Sequence, residues 1–263
     1  MSGIRDIGAG LSAVYALSVY LPLSRAAAVY RRVLRKLRGK QPSHPATRLP
    51  KVDWWRVLPK SSVRLVEMGK RHGNVRLSEL AILAQAAASA EPGSEIIEIG
   101  TYDGRTTLNL AVNAPQRACV VTLDLPAGHR TEFPIEAAEQ SLVDKPASGT
   151  RLSSCRPAWR KYAKIVTQVF GDSASYDWSP HFGRAGLVFV DGSHAYDYAR
   201  KDSATAFRLS GPGGIVIWHD YGVWLGVTRT LEELEAANKL GLRHIRGTSL
   251  VIWRAPPGQE LLG

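Results

Sequence analysis

Two short strings hold the clearest chemistry in this sequence. Asp191-Gly192-Ser193-His194 follows the apolar run Leu187-Val188-Phe189-Val190, and His219-Asp220 follows Ile215-Val216-Ile217-Trp218. A histidine beside a carboxylate suits proton transfer near neutral pH, because imidazole titrates there and a nearby acid orients it and raises its pKa. His194 is therefore the candidate general base and Asp191 its orienting acid; the competing role for His194 is to tie its loop to the next helix. His219 stands directly before its acid, so strand alternation would turn it to the other face of the sheet.

A third stretch, Ser94 to Thr107, reads as buried strand, tight loop and helix. Ile96, Ile97 and Ile99 are apolar, Gly100 and Gly104 bound the turn, and Thr106-Thr107-Leu108 opens a helical pattern. Glycine lets backbone and ligand approach closely, and amides of the loop and first helical turn then face the crevice. Glu98 at the strand end suits an ammonium or hydroxyls there rather than phosphates. The spacing is Gly100-x-x-x-Gly104, with Thr101 where a dinucleotide fingerprint wants its second glycine, and no P-loop string occurs. Asp124 ends the next apolar run, 24 residues beyond Gly100. In doubly wound sheets an acid at that point accepts two hydrogen bonds from a ribose diol; capping the following loop is its alternative role.

The elements that must position these groups alternate along the chain. Strands are expected over 95–99, 118–124, 164–170, 185–190 and 215–218, with a closing hairpin of 242–245 and 250–253. Helices are expected over 61–72, 76–90, 198–209 and 225–237, and from Thr106 onward. This order predicts an α/β fold, a doubly wound, seven-stranded and mostly parallel sheet with an N-terminal helical arm. Residues 125–163 form a long connection with Pro126, Pro134, Pro146 and Pro157 and a short helix at 135–143. A connection of that length reads as a lid or substrate wall.

The chain has 263 residues and a formal charge of +11, of which nine positive charges and no acid fall in residues 7–52. Arg5 and Asp6 cancel, so residues 53–263 carry only +2. The basicity belongs to an arm (1–52, ending in the proline-bearing linker 41–50) and not to the domain (53–263). Ile7 to Ser24 is uncharged, and Val29, Val33, Leu34 and Leu37 recur at helical spacing among arginines. Glycines, serines and Pro22 dilute the apolar run, which disfavours a spanning helix. Residues 7–40 are expected to lie on an anionic membrane surface, or to pack on their own domain or on a second subunit of a homo-oligomer. Without an aromatic platform, nucleic acid is a poor partner. Cys119 and Cys155 give neither a disulfide framework nor metal spacing, so a reducing, cytoplasmic setting is the default, peripheral to the membrane if the arm binds it.

Taken together, residues 75–254 resemble the class I S-adenosylmethionine-dependent methyltransferases. Their first motif, acid-x-Gly-x-x-x-Gly-x-[Ser/Thr], is matched by Glu98, Gly100, Gly104 and Thr106. The ends Val-Asp-Gly-Ser-His and His-Asp-Tyr are similar to those of catechol-type small-molecule O-methyltransferases. The resemblance implies a cofactor site at Glu98, Gly100, Thr101, Tyr102, Gly104, Thr106, Asp124, Asp172, Ser173 and Asp191, with Asp172 and Ser173 facing the adenine. It implies Mg²⁺ on Asp191 and Asp220 and puts His194 where those relatives carry a lysine base. Tyr221 stands where an asparagine ligand is usual, and tyrosine is a poor Mg²⁺ ligand, which leaves metal use open. The implied activity is methyl transfer to an oxygen of a small-molecule, sugar or lipid-linked acceptor. A non-catalytic cofactor-binding or tethered scaffold protein is the alternative, and a Rossmann oxidoreductase is disfavoured by the missing Gly-x-Gly.

Overall fold

A computed structural model describes residues 10–38, 44–144 and 148–257; positions 7–9, 39–43 and Pro146 of the segments above lie outside the described residues. The strands are β1 (Lys51–Val52), β2 (Glu95–Ile99), β3 (Cys119–Asp124), β4 (Val166–Phe170), β5 (Ala185–Val190), β6 (Ser210–Trp218), β7 (Arg243–Ile245) and β8 (Val251–Arg254). They form one eight-stranded sheet in the order β1-β7-β8-β6-β5-β2-β3-β4, parallel except where β8 runs against β6 and β7. The doubly wound, mostly parallel sheet is as expected, and the count of seven is corrected to eight. Lys51–Val52, expected to close the N-terminal arm at 1–52, instead pairs in parallel with β7 at the sheet edge.

The helices longer than one turn are α1 (Leu21–Leu37), α2 (Leu77–Ala88), α3 (Arg105–Asn113), α4 (Tyr196–Leu209) and α5 (Leu225–Asn238), and single α-helical turns lie at Gln140–Val143, Thr150–Ser153 and Arg160–Ala163 of the long connection. Strand alternation sends Ile96, Val120, Leu187, Phe189, Ile215 and Ile217 to one face, where they pack with Leu80, Ile82 and Leu83 of α2. Ile97, Ile99, Val121, Leu123, Val188, Val190 and Val216 go to the other, against Ala199, Ala206 and Leu209 of α4 and Val227 and Leu231 of α5. Burial on both faces is why these strands read as unbroken apolar runs.

The helix expected at 61–72 is absent. The segment runs extended beside α3, whose Asn109 and Asn113 side chains, one turn apart, pair its backbone: Val66 N–H donates to Asn109 Oδ1 and Arg64 N–H to Asn113 Oδ1, each at 2.8 Å. Both amides also donate back, to the carbonyls of Val66 and Arg64. These long-range bonds satisfy the peptide groups that a helix would have paired internally.

Residues 10–37 are helical, with a π-helical stretch at Ala16–Tyr20 leading into α1. Ala13, Ala16 and Leu21 are buried in the same core cluster as α2.

Candidate active site

Register brings the chemistry to one edge. Ile99 pairs with both Leu123 and Val190, and Val190 with Trp218, so the four central strands end level. The residues that follow them, Gly100, Asp124, Asp191 and His219, emerge together at the carboxyl edge, where open α/β sheets bind ligands. They line a cavity of about 490 Å³, within the range of small-molecule sites, about 300–1,000 Å³.

The two central strand ends touch. Asp191 N–H donates to Ile99 O at 2.8 Å. Gly100 has φ +102°, and a Cβ there would lie 2.1 Å from Asp191 O. Only glycine fits. Asp220 takes a left-handed φ of 63° immediately after the last residues of β6. His219 N–H still donates to Val190 O at 3.0 Å and its ring lies on the α2 face beside Phe189, yet at this level of the sheet both His219 and Asp220 line the cavity. This corrects the expectation that His219 faces away.

Two histidines are threaded through four carboxylates. His219 Nδ1 lies 2.9 Å from Asp191 Oδ1 and 3.3 Å from Asp220 Oδ2, and its Nε2 is 3.4 Å from Glu79 Oε2. His194 Nε2 is 2.7 Å from Asp220 Oδ2, and its Nδ1 is in ion-pair contact with Glu139 Oε1. Asp191, expected to orient His194, is therefore the partner of His219. Glu139, from the long connection, takes the orienting place, and it also accepts from His194 N–H and, at 2.9 Å, from Ser193 Oγ–H. Trp224 covers the ring of His194.

Burial works against the charged form of His194, yet hydrogen bonds to Asp220 and Glu139 push its pKa up to about 9. His219 is likewise buried, and Asp191, Asp220 and Glu79 hold it well above the ordinary histidine value. Both imidazoles are protonated at neutral pH in this arrangement. Burial raises the Asp191 carboxyl, which His219 offsets only in part. Asp220, although buried, is held below the carboxylate range by His219 and His194. Glu79, fully buried, is held well below it by His219 and Arg76. It also accepts from Ser249 N–H at 2.8 Å and Ser249 Oγ–H at 2.9 Å.

Of the residues singled out in the sequence, Gly100, Tyr102, Asp124, Asp172, Ser173, Asp191, His194 and Asp220 line the cavity, and Glu98, Thr101, Gly104 and Thr106 do not. Glu98 is fully buried and accepts from Thr107 and, at 2.7 Å, from Thr122. Burial raises its carboxyl to about 8, against those two bonds, so it is neutral at pH 7 and offers no charge to an ammonium. Thr101 Oγ1 is 2.7 Å from Thr122 Oγ1 in the same buried group. Gly104 caps α3 with φ +81°, and a Cβ there would meet Leu152 Cγ at 2.9 Å and Gly149 Cα at 3.2 Å, so this glycine makes room for the long connection. Thr106 is buried in the first turn of α3. Asp172 lines the cavity but already accepts from Tyr198 O–H, from Glu132 N–H at 2.6 Å and from Ala174 N–H at 2.9 Å. Its carboxylate anchors the connection.

Glu79, Glu139 and Trp224 were missed. Arg76 N–H donates to Glu79 Oε2 at 2.9 Å at the start of α2, but nothing local links Glu79 to Ser249 or His219. Asp191, His219 and Asp220 each present a ligand atom, and these atoms all lie within 4.8 Å of one another. Two carboxylates and an imidazole suit a divalent cation. Tyr221, at the usual asparagine position, points elsewhere: its hydroxyl accepts from Arg48 and Leu49 N–H and donates to Glu232, each at 2.9 Å. A cation held there would take His219 as its third donor.

Residues 97–221 match the family model described as a methyltransferase domain. No curated protein sequence matches the chain. Among solved structures, the chain is similar to the O-methyltransferase TomG from Streptomyces achromogenes, involved in tomaymycin synthesis and solved in complex with SAM. Identity is 18%, over 73% of this chain and 93% of that one, with a TM-score of 0.48. An O-methyltransferase from Bacillus cereus in complex with SAH is 16% identical over 70% of this chain and 84% of its own, with a TM-score of 0.46. The O-methyltransferase NovP is 15% identical over 69% and 81%, with a TM-score of 0.49.

Proposed function

We propose, from the match of residues 97–221 to the methyltransferase-domain family model, that the chain transfers a methyl group from S-adenosylmethionine to a hydroxyl oxygen of a small-molecule acceptor. One observation carries the reading: the cavity that Gly100 and Asp124 line is the same cavity that His194, held by Glu139, faces. A donor site and a proton acceptor thus share one space.

The bound cofactor supplies an electrophilic methyl on a sulfonium. Asp124 would accept the ribose hydroxyls, Gly100 would let the chain pass close to the ligand, and Ser173 would border the adenine end. Ile135, Leu142, Val143 and Val223 also line the cavity, so the acceptor is one with an apolar or aromatic body as well as its hydroxyl. An acceptor hydroxyl that takes the place of Asp220 at Nε2 meets an imidazole whose Nδ1–H stays on Glu139. In its neutral form that imidazole accepts the proton at Nε2, and Glu139 stabilises the resulting charge, the division of labour of a carboxylate–histidine pair. Holding oxygen and methyl in line supplies much of the remaining acceleration. A divalent cation held by Asp191, His219 and Asp220 would supply positive charge beside the acceptor oxygen and favour its deprotonation.

Calorimetric titration of the full chain with S-adenosylhomocysteine tests the reading. Binding should weaken by about tenfold or more, about 1.4 kcal/mol, in Asp124→Ala. His194→Ala should abolish turnover and leave that affinity nearly unchanged. A folded chain that does not bind the cofactor product would overturn the proposal.

A further inference from the structure

The N-terminal helix is docked along its first half and projects along its second. Ala13, Ala16 and Leu21 are buried in the core, and Arg25 donates to Arg246 O at 3.0 Å and lies 3.5 Å from Asp53 Oδ1. Beyond Ala26, every residue to Arg38 whose exposure is described is exposed except the half-buried Ala27 and Leu34.

The exposed part is amphipathic. Leu23, Val29, Tyr30, Val33 and Leu37 are 50–77% exposed, and at helical periodicity they share an arc of about 120°. Positions 25, 31 and 38, all arginine, fall outside that arc. Leu11, Val14, Tyr15 and Val19, 42–63% exposed, add further apolar surface on the docked half. Apolar surface of this extent on one helix marks a contact with something else.

Charge chooses the occupant. Arg31, Arg32, Arg35, Lys36 and Arg38 crowd eight positions, and no acid occurs from residue 7 to residue 52. A second copy seated on this helix would bring like charges together. A membrane-crossing helix is allowed by length and hydropathy over Gly10–Arg31, but burial of Ala13, Ala16 and Leu21 and the bonds of Arg25 hold that stretch against the domain. An apolar stripe beside dense arginine is instead the chemistry of a helix lying in the headgroup layer of an anionic bilayer. We propose that the N-terminal helix seats this protein on anionic lipid surfaces, its apolar stripe in the acyl boundary and its arginines among the headgroups.

Co-sedimentation of the full chain with phosphatidylcholine vesicles, with and without phosphatidylglycerol, tests this independently of methyl transfer. Binding should be at least about tenfold stronger with the anionic lipid, and should weaken as salt is raised. Val29→Asp combined with Val33→Asp should remove it, and Arg31→Glu should weaken it, with circular dichroism and thermal midpoint unchanged because these side chains are exposed. Equal binding to both vesicle types, or none, would overturn the proposal. So would a dimer in sedimentation velocity that the Val29→Asp, Val33→Asp variant dissociates.

Discussion

Trp224 lies flat on His194, the ring centroids 4.5 Å apart and the planes 3° from parallel. With the face of the imidazole covered, Nδ1 on Glu139 and Nε2 on Asp220, every degree of freedom of the ring is taken up by a named partner. An indole face also favours the imidazolium form, which the two carboxylates already favour.

Glu139→Gln removes one of the two carboxylates that raise His194 to about 9. The base works when deprotonated, so activity rises with pH through its pKa. We expect the ascending limb of the kcat/KM profile to move to lower pH in the variant and its plateau to fall by at least about tenfold. Unchanged cofactor affinity would locate the loss in the proton transfer. A profile that does not move would reject Glu139 as the orienting group.

Glu98 predicts the opposite kind of pH effect, on stability. Its folded pKa of about 8 lies above the ordinary 4.5, so the folded state holds the proton more tightly than the unfolded chain does. Stability from this group is complete below about 4.5 and is lost as pH rises toward 8. Glu98→Gln cannot ionise. Urea denaturation should find the variant close to wild type at pH 5 and more stable at pH 9, by up to about 5 kcal/mol.

Gly100→Ala should be among the most damaging single changes, because its Cβ would fall 2.1 Å from Asp191 O, a backbone atom that cannot swing away. Either the ends of β2 and β5 separate or the chain unfolds. A loss of about 3 kcal/mol or more in urea denaturation is expected, with loss of cofactor binding.

His219 and Tyr221 separate metal binding from stability. Titration with Mn²⁺ should show at least about tenfold weaker binding for His219→Ala and Asp191→Asn. Tyr221→Phe should bind the ion as wild type does while losing about 1–3 kcal/mol of stability, since Arg48 and Leu49 N–H lose their acceptor. Loss of the ion in the tyrosine variant would argue against His219 as the third donor.

Much of this architecture was legible in the residue pattern. Runs such as Ile96 to Ile99 and Leu187 to Val190 announce strands buried on both faces, and glycine or acid after each announces the functional edge. Parallel strands deliver their carboxyl ends to one side, so knowing that Gly100, Asp124, Asp191 and Asp220 each end a strand was enough to group them. The helix misread at 61–72 shows the limit: local spacing was overruled by Asn109 and Asn113, which lie one helix away.

The pairing inside the group was decided only by tertiary structure. Sequence adjacency offered Asp191 to His194, but His219, at the end of the neighbouring strand, claims Asp191. His194 then takes Glu139 from a segment 55 residues earlier. Glu98 turns inward to Thr107 and Thr122, and Tyr221 reaches back to the backbone of Arg48 and Leu49. A strand's period states which residues leave it at its end. Which carboxylate then meets which imidazole depends on how segments far apart in the chain pack, and no local pattern encodes that.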